Sequence, residues 1–466
     1  MAKVFVFCIG GTGIRVMKSI TMLMAGGMST NGYTVIPVIL DPHLDLEEKK
    51  NLHALIEGYE DIYKRSINNG SSTSNHLDGF FNSEIKTLSE LCGQTNDTHQ
   101  YAGTKDEFRS YIGLANLGTE DINNYLIETM FSTKNLDNPL SVGFKGNPNV
   151  GTVVLGDMIE NASWFKDFKS QCEKDDRIFI IGSIFGGTGA SGIPLLVKKV
   201  RKLDDRPTVK NAIIGAITVL PYYGLKDPTT TGSDIDSANF YTKTKAALAY
   251  YSKCKVDSNY LYYIGEKSLK QVYDNDEKKQ DDKANFIELI AASALFDFLK
   301  REKPDRQQFM TRAIDSDQES LDLVSLGNGY RDIVKSVADF MLLRNFVKYL
   351  PDESFFPLKK NRGFNDGFYN DAPFQSLDRF TEIYYRWYSE LAQNKRAFAP
   401  LHYDNLKQMG GWIKGVELDA KDDSYYLLSM IEASNKDKSK EHSNKFRYFL
   451  QFVFDAIDKY TNKIYR

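Results

Sequence analysis

The chain has 466 residues, of which 42% are hydrophobic and 26% are charged, and its formal net charge is -3. This is the composition of an ordinary soluble globular protein, and the length predicts two or three domains. The small net charge gives no reason to expect a nucleic-acid or membrane-surface binder. The four cysteines are far apart and show no C-x-x-C spacing. This argues against a zinc site or a disulfide framework and favours a reducing cytoplasm.

Short apolar runs recur along the first 270 residues and are typical of buried strands. Most are followed by glycine-bearing turns and helical patterns, which favours a parallel, doubly wound α/β sheet. The runs are Val4 to Ile9, Thr34 to Leu40, Thr152 to Leu155, Ile178 to Ile181, Ala212 to Val219 and Tyr260 to Ile264. We expect no signal peptide and no membrane span, because no apolar stretch approaches the ~20 residues that a span needs.

Two regions interrupt this alternation. Residues 46 to about 140 are polar and mostly helical in pattern, with a polar loop at 66–75, so we expect a helical insertion there. The stretch from Ala284 to Lys300 is apolar on most sides, which predicts a buried helix. The chain then becomes helix-rich and aromatic, and it ends in an amphipathic helix from Phe446 to Tyr465. The predicted organisation is a sheet domain over 1–270, a central buried helix over 282–300 and a helix-rich C-terminal domain over 301–466.

Three glycine-rich turns are the most informative features: "GGTG" after the first strand, "GNPNVG" at 146–151 and "GGTGASG" at 186–192. Glycines let the backbone turn tightly and bring N–H groups, together with a helix dipole, against a phosphate. In the last turn Thr188 and Ser191 can add hydroxyl donors. A turn without a ligand is the plain alternative for any one of them. Three such loops together favour a ligand with several phosphates, and a nucleoside triphosphate fits better than a dinucleotide.

The "GGTGASG" turn also matches a dinucleotide-binding fingerprint, so an NAD(P) oxidoreductase stays an alternative. Such a fingerprint is normally followed by an acid at the end of the next strand, whereas this chain has Leu220 and Pro221 there. Tyr241 and Lys245 have a Tyr-x-x-x-Lys spacing, but they precede another strand. Both points weaken the dinucleotide hypothesis.

The order of the loops resembles that of the tubulin/FtsZ superfamily of GTPases. After the first glycine turn come "ILDPHLD", "GNPNVG", "GGTGASG", "TVLPYYG" and "VDSNYLYYIGE", and then the long central helix. The resemblance covers roughly residues 1–300 apart from the insertion, and the order is more specific than any single motif. It implies a doubly wound, mainly parallel sheet of tubulin/FtsZ type, joined here to a divergent, helix-rich C-terminal domain.

The resemblance also implies where a guanine nucleotide would bind. The first loop would lie near the α- and β-phosphates, the "GNPNVG" loop would sense the γ-phosphate, and the "GGTGASG" loop would surround the phosphates. The residues implied in these roles are Gly10, Gly11, Thr12, Gly13, Gly146, Asn147, Pro148, Gly151, Gly186, Gly187, Thr188, Gly189 and Ser191. Phe185 and Ser191 stand where the tubulin signature has its first and last glycines.

Residues outside the glycine loops are implied at the remaining parts of the ligand. Asp41 matches a polar residue that helps at the phosphates or at Mg²⁺, and a turn or helix cap is its plain alternative. Asn285 is placed like a base-contacting asparagine, and Phe286 could stack on the base, with core packing as the alternative for Phe286. Asp236 or Asn239 could reach the ribose. The expected ligands are GTP or GDP with Mg²⁺, and no residue is predicted as a metal ligand of its own.

Two departures from the family concern the base and the catalytic loop. The strand-end asparagine that contacts guanine in FtsZ corresponds here to Gly265 or Glu266, which leaves the base preference open. The family supplies catalytic acids to the neighbouring subunit from an N-x-D-x-x-D pattern after the central helix, whereas this chain reads "KREKPDRQQFMTRAIDSD". Asp305 is the nearest single acid and thus the candidate catalytic residue. Asp315 and Asp317 follow further on, and a solvated loop acid is the alternative for each.

We therefore expect a cytoplasmic protein that binds GTP, hydrolyses it slowly and assembles head to tail in a nucleotide-dependent way. The alternative is a nucleotide-binding switch or scaffold that does not polymerise and whose insertion and C-terminal helices dock a protein partner.

Overall fold

The computed structural model describes most of the chain. The described residues are 1–43, 47–67, 79–94, 106–142, 144–225, 237–266, 271–273, 275–276, 279–280, 283–314, 320–321, 326, 328–349, 364, 366–401, 433 and 444–464. Most of the predicted polar loop at 66–75 lies outside them, as do residues 434–443.

Six parallel strands form the main sheet. In chain order they are β1 (Lys3–Ile9), β2 (Thr34–Leu40), β3 (Arg177–Ser183), β4 (Ile213–Val219), β5 (Tyr260–Glu266) and β6 (Gln308–Ile314). Their order in space is β6-β5-β4-β3-β1-β2, and every neighbouring pair is parallel. The strand order therefore reverses between β1 and β3, as in doubly wound folds. The predicted fold class, a doubly wound parallel sheet with a helix-rich C-terminal region, is confirmed.

Helices cover both faces of the sheet. Those of nine or more residues are α1 (Gly10–Ala25), α2 (Glu47–Ser66), α3 (Ile122–Met130), α4 (Pro148–Asn161), α5 (Ser163–Gln171), α6 (Gly187–Arg201), α7 (Phe240–Cys254), α8 (Phe286–Leu299), α9 (Arg331–Tyr349), α10 (Ala372–Gln393) and α11 (Lys445–Ile464). Helices of four residues lie at Leu88–Leu91, Phe108–Tyr111, Thr133–Leu136, Pro207–Lys210 and Asp366–Tyr369. A short strand at Ala397–Phe398 pairs in parallel with Ser320–Leu321.

Two apolar cores lie on opposite faces of the sheet. Along β1, Val4 and Val6 belong to one core, while Phe5 and Phe7 belong to the other, as expected from the two-residue period of a strand. The first core includes residues of α1, α2, α8 and the C-terminal helices. The second includes residues of α4, α5, α6, α7 and the insertion.

The described C-terminal helices share the first core with α1 and α8. Ser336 in α9 donates its hydroxyl to the carbonyl of Leu23 in α1 at 3.1 Å. Phe80 and Phe340 pack edge to face with ring centroids 5.9 Å apart. The described C-terminal helices thus pack on the face of the sheet that carries α1 and α8. The predicted domain boundaries stay a prediction.

The prediction of a strand at Thr152 to Leu155 is wrong, because these residues lie inside α4. Pro148 occupies the first turn of this helix, where a proline without an N–H is well tolerated. Val150, Val154 and Leu155 are buried at helical spacing, while Thr152 and Val153 are exposed. The short β-branched run was therefore one turn of an amphipathic helix.

The strand β6 was not predicted, since the strand signal fades after residue 269 and the following region is rich in helical patterns. β6 is an edge strand that pairs only with β5 among the described strands. Phe309 and Thr311 are exposed on it, so its sequence lacks the continuous apolar run of a central strand. The sheet thus continues past residue 301.

The buried central helix is confirmed. α8 is buried along its whole length except at Asp297. It starts with a capping box, in which Asn285 accepts from the backbone N–H of Ile287 at 2.9 Å and Glu288 accepts from the N–H of Asn285 at 3.0 Å. Apolar residues around the whole circumference are expected for a helix enclosed by a core.

Candidate functional site

The candidate site lies where the strand order reverses, at the carboxyl ends of β1 and β3. In open α/β sheets this edge forms a crevice in which ligands bind. β1 leads directly into α1, and β3 leads into α6 through Gly186. Both predicted phosphate loops are therefore placed at the same point of the sheet.

The first loop needs glycines because the backbone passes close to its neighbours. Gly10 has a φ of +71°, which favours glycine. A Cβ atom at Gly13 would lie 2.6 Å from the carbonyl carbon of Cys8 and 3.0 Å from the carbonyl oxygen of Ile181. The start of α1 can approach β1 and β3 this closely only without a side chain at Gly13.

The second loop is packed in the same way and contacts the first. A Cβ at Gly189 would lie 2.7 Å from the backbone nitrogen of Ser183, at the end of β3. A Cβ at Gly10 would lie 3.4 Å from the Cβ of Thr188. The first turns of α1 and α6 are thus side by side.

The third loop, at the start of α4, closes the arrangement. A Cβ at Gly187 would lie 3.0 Å from the backbone nitrogen of Asn147 and 3.3 Å from the carbonyl carbon of Gly146. A Cβ at Gly151 would lie 3.1 Å from the carbonyl oxygen of Gly187 and would overlap the hydroxyl of Ser191. The structure therefore brings together the three glycine loops that the sequence singles out. We call the N-terminal turns of α1, α4 and α6 the cradle.

None of these three described helix starts is capped by a side chain. The residues at the cap positions are Ile9, Asn147 and Gly186, and none makes a side-chain cap hydrogen bond. No acidic residue lies in the first turn of any of the three helices. Backbone N–H groups at a helix start need an acceptor, and the helix dipole favours a negative one. Three such starts side by side have the geometry and the dipole direction that suit an anion with several oxygen atoms.

Lys243 adds a cationic side chain at the cradle. It lies in α7, and its Nζ is 2.7 Å from the position that a Cβ of Gly146 would take. Gly146 has a φ of +74°, so glycine is favoured there for its backbone as well. The hydroxyl of Tyr251 fixes α7 to α6 by donating to the carbonyl of Ala190 at 3.0 Å. Lysine is a common ligand of phosphate groups.

Arg15 connects the cradle with the start of α8. Its Nε donates to Glu288 at 2.7 Å, its Nη1 to Glu48 at 3.0 Å and its Nη2 to the hydroxyl of Tyr222 at 3.1 Å. Tyr222 donates in turn to Glu288 at 2.6 Å. Burial raises the pKa of Glu288, and the Arg15 charge opposes this rise. One guanidinium thus neutralises part of the charge of two buried carboxylates.

Asp41 and Glu48 place negative charge beside the first loop that Arg15 neutralises only in part. Asp41 accepts from the backbone N–H of His43 at 2.8 Å. Burial raises the pKa of Asp41 to about 6, and the charge of Glu48 adds to the rise. The Oε2 atom of Glu48 has no hydrogen-bond partner among the described residues and lies 3.3 Å from the position that a Cβ of Gly11 would take. Oxygen atoms of this kind suit a divalent cation.

Among the residues that the structure describes, no group of three or more His, Cys, Asp or Glu side chains could hold a metal ion. A divalent cation beside Asp41 and Glu48 would therefore take most of its ligands from phosphate and water, which is how Mg²⁺ usually binds. In the same part of the chain, no helix is both long and apolar enough to cross a membrane.

Two hydroxyls of the predicted loops are already engaged. Ser191 donates to the carbonyls of Gly187 and Thr188 at 2.8 and 3.2 Å. It therefore stabilises the first turn of α6 from inside. Thr12 is buried, and its Oγ1 lies 3.5 Å from Nη2 of Arg15.

The predicted base contacts lie at the start of α8. Asn285 caps this helix, as described above. The ring of Phe286 stacks on Phe398 with centroids 5.1 Å apart, and both rings are buried. The sequence left core packing open for Phe286, and the structure shows this packing. The segment that carries Phe398 is held by an ion pair between Arg396 and Glu266.

The remaining predicted residues were implied at the ribose or in the catalytic loop. Asn239 is exposed at the start of α7, and Asp236 lies outside the described residues. Asp305 is exposed just before β6, so it lies at the amino end of a parallel strand, whereas the cradle lies at the carboxyl ends. Asp315 and Asp317 lie outside the described residues.

Sequence reasoning missed four residues around the cradle: Lys243, Arg15, Glu48 and Tyr222. Arg15 and Tyr222 carried a weak signal, since each is a polar group in an apolar stretch next to a glycine turn. Lys243 and Glu48 had no distinguishing signal in the sequence, because each belongs to a helix with several residues of the same charge.

Comparison of the sequence with protein families finds no match. Comparison with curated proteins finds none either. Comparison with solved structures finds a similarity to CetZ from Methanosaeta thermophila, with a TM-score of 0.27 and 13% sequence identity. The alignment covers 74% of this chain and 60% of the CetZ chain.

Proposed function

We propose that this protein binds GTP or GDP, together with Mg²⁺, with the phosphates in the cradle. The observation that carries the proposal is the convergence of three uncapped helix N-termini at the reversal point of the sheet. Such a site satisfies several phosphate oxygens at once through backbone N–H groups. The cation Lys243 supports a polyanionic ligand, and the order of the loops supports a nucleotide of the tubulin/FtsZ type.

Each loop has a proposed part in binding. Gly10 to Gly13 would contact the α- and β-phosphates, 186–189 would surround the phosphates, and 146–151 would contact the γ-phosphate. Asp41 and Glu48 would hold Mg²⁺, which when bound neutralises phosphate charge. This arrangement would also compensate the negative charge that Asp41 and Glu48 leave beside the first loop.

The guanine preference and the ribose contacts stay proposals that depend on the family resemblance alone. Asn285 and Phe286 would have to leave the helix cap and the Phe398 stack, or contact the base from where they are. Asn239 and Asp236 are the proposed ribose contacts.

Hydrolysis is proposed to be slow and to require a second molecule. Asp305 lies at the opposite end of the sheet from the cradle of its own chain, so it can orient a water molecule only at the cradle of another copy. This position supports head-to-tail assembly with one subunit completing the site of the next. We propose the cytoplasm as its location, in line with the dispersed cysteines.

A nucleotide-binding switch or scaffold that does not polymerise is the second candidate. It is favoured by the departures of the catalytic loop from the family pattern: Lys300 stands at the position of the asparagine, and Glu302 replaces the first of the two aspartates. A protein of this kind would stay monomeric at all nucleotide concentrations while its melting temperature rises. A ligand at 100 times its Kd stabilises by about 2.7 kcal/mol, which is readily measured.

The direct test is to purify the protein without added nucleotide, denature it, and identify what is released by chromatography against nucleotide standards. GTP or GDP at close to one per chain is the expected result. If the protein instead releases NAD(P), or binds NAD more tightly than GTP, the tubulin-type proposal is wrong and the dinucleotide alternative takes its place.

The part played by the cradle is tested with Lys243→Ala. Loss of a charge-assisted contact worth about 1.5 kcal/mol should weaken GTP binding roughly tenfold in a calorimetric titration. Lys245→Ala is the matched control, because Lys245 is exposed two residues away on the same helix. Equal affinities for the two variants would contradict the proposed position of the phosphates.

A further inference from the structure

The helix α3 in the insertion presents its apolar side to solvent. Ile122, Tyr125, Leu126 and Met130 are 72%, 70%, 50% and 69% exposed. Their spacing places them on one side of the helix. Asn124 is the only buried residue of α3. The apolar side of this helix therefore faces solvent, whereas the apolar side of an ordinary surface helix faces the core.

Acidic residues surround this apolar side. Glu120 and Asp121 precede the helix and Glu128 lies within it, while no lysine or arginine occurs from 118 to 130. We call Ile122, Tyr125, Leu126 and Met130, with these three acids, the α3 surface. An exposed cluster of large apolar side chains in a soluble protein is typical of an interaction site.

The helix α7 presents a surface of the opposite charge. Tyr241, Lys245, Ala249, Tyr250 and Lys253 are all exposed, and α7 contains no acidic residue. The two tyrosines are 49% and 47% exposed. Among the described residues neither of these lysines makes an ion pair. These five residues form the α7 surface.

The two surfaces hold six of the eleven exposed large hydrophobic residues among those that the structure describes. The α3 surface is apolar with acidic residues around it, and the α7 surface combines two tyrosines and a small alanine with two lysines. We propose that the α3 surface of one copy of this chain docks on the α7 surface of a second copy. Because the two surfaces differ, the contact is heterologous and can repeat from copy to copy.

The two surfaces belong to parts of the molecule that pack on different helices. The insertion packs on α4 through a hydrogen bond of 2.7 Å from the hydroxyl of Tyr111 to Asp157. The α7 helix packs on α6 through Tyr251 and Ala190. The α7 helix also carries Lys243 beside the cradle, so the docking helix directly contacts the proposed phosphate site.

This inference goes beyond the proposed function, because the contact does not involve Asp305. It identifies the partner as a second copy and needs no nucleotide. The test is therefore done on nucleotide-free protein, and its failure leaves the proposal of nucleotide binding intact.

The experiment uses the full chain with one surface changed at a time. Leu126→Asp places a charge in the centre of the α3 surface, and Lys245→Glu reverses the charge of the α7 surface. Both positions are exposed, so the far-UV spectrum and the melting temperature should match those of the wild type. Sedimentation velocity should show concentration-dependent association for the wild type and at least a tenfold weaker association for each variant alone.

Mixing the two variants distinguishes a heterologous contact from any other. Each variant keeps one intact surface, so an equimolar mixture should form dimers and nothing larger. Phe309→Thr is the matched control, because it removes an equally exposed apolar ring from β6 and should associate like the wild type. The inference is overturned if the wild type stays monomeric, if Lys245→Glu associates as the wild type does, or if the mixture shows no dimer.

Discussion

The helices of the cradle and the central helix α8 begin next to each other, but they begin in different ways. The first turns of α1, α4 and α6 have no side-chain cap, whereas α8 is capped by Asn285 and Glu288. Arg15 in α1 donates to Glu288 in α8, so the two kinds of helix start are in direct contact. A capped start satisfies its own N–H groups, while an uncapped start needs an acceptor from outside. The difference separates the part of the site that is proposed to bind phosphate from the part that holds the core together.

The substitution Arg15→Met should have the largest effect, because it removes the contact between the two regions. It leaves Glu48 and Glu288 buried without their counter-charge, which should lower the free energy of unfolding by about 3–5 kcal/mol. Burial raises the folded-state pKa of Glu288 above its unfolded value, so part of the lost stability should return as pH falls toward 4. Urea unfolding at pH 7.5 and pH 4.5 measures both effects.

Lys18→Met is the control for Arg15→Met. Lys18 lies in the same helix and forms a half-exposed ion pair of 3.5 Å with Glu390. Pairs of this kind are worth about 0–1 kcal/mol. A similar fall in the free energy of unfolding for both variants would show that the buried network around Arg15 stabilises the fold no more than an exposed ion pair does.

Gly189→Ala should have the next largest effect, since it changes the cradle without touching α8. The new Cβ would meet the backbone of Ser183, which cannot move without shifting β3. We therefore expect the free energy of unfolding to fall by about 3 kcal/mol. Gly156→Ala in α4 is the matched control. A Cβ there meets no atom within 4 Å, so the gain in helix propensity should stabilise by up to about 1 kcal/mol. Equal effects of the two substitutions on thermal unfolding would contradict the close approach of the loops.

Asp41→Asn should stabilise the free protein. The folded-state pKa of Asp41 is raised to about 6, above its ordinary value, because of burial. Its contribution to stability is therefore present at pH 3–4 and lost as pH rises through 6. The neutral amide should raise the free energy of unfolding by about 2 kcal/mol at pH 7.5 and leave it unchanged at pH 3.5, as measured by chemical unfolding at both pH values. A variant that is less stable at pH 7.5 would contradict a destabilising charge at Asp41.

Asn285→Ala should have the smallest effect and should separate the cap from a base contact. Loss of an N-cap side chain costs about 1 kcal/mol of stability. If the side chain only caps α8, by accepting from Ile287, the affinity for GTP relative to ATP stays unchanged. Asp371→Ala removes the cap of α10 and should give a similar loss in the same unfolding assay. A tenfold drop in GTP affinity with ATP unaffected would instead establish Asn285 as a base contact.

The sequence predicted most of the sheet and all three loops because their signals are local. A strand followed by a glycine turn and a helix is visible within about 20 residues, as at Gly10 and Gly187. The edge strand β6 was missed since its exposed residues alternate with half-buried ones. The helix α4 was misread in part because Thr152, Val153 and Val154 are β-branched and the window was short.

The rest of the site depends on contacts between distant residues. Nothing in the sequence of α7 distinguishes Lys243, which lies beside Gly146, from the exposed Lys245. Arg15, Glu48 and Glu288 are brought together from three helices, and only the packing of α1 against α8 makes them neighbours. The exposed side of α3 was also not apparent, since an apolar stripe at helical spacing normally predicts a buried face.

Amide hydrogen exchange with and without GTP and Mg²⁺ tests the central claim most directly. The account predicts that the ligand slows exchange in the first turns of α1, α4 and α6 together, at Gly11 to Gly13, 149–151 and 187–189, while the first turn of α8 is unchanged. If exchange slows at the start of α8 and stays the same in the three uncapped turns, the phosphates do not bind in the cradle and the account is wrong.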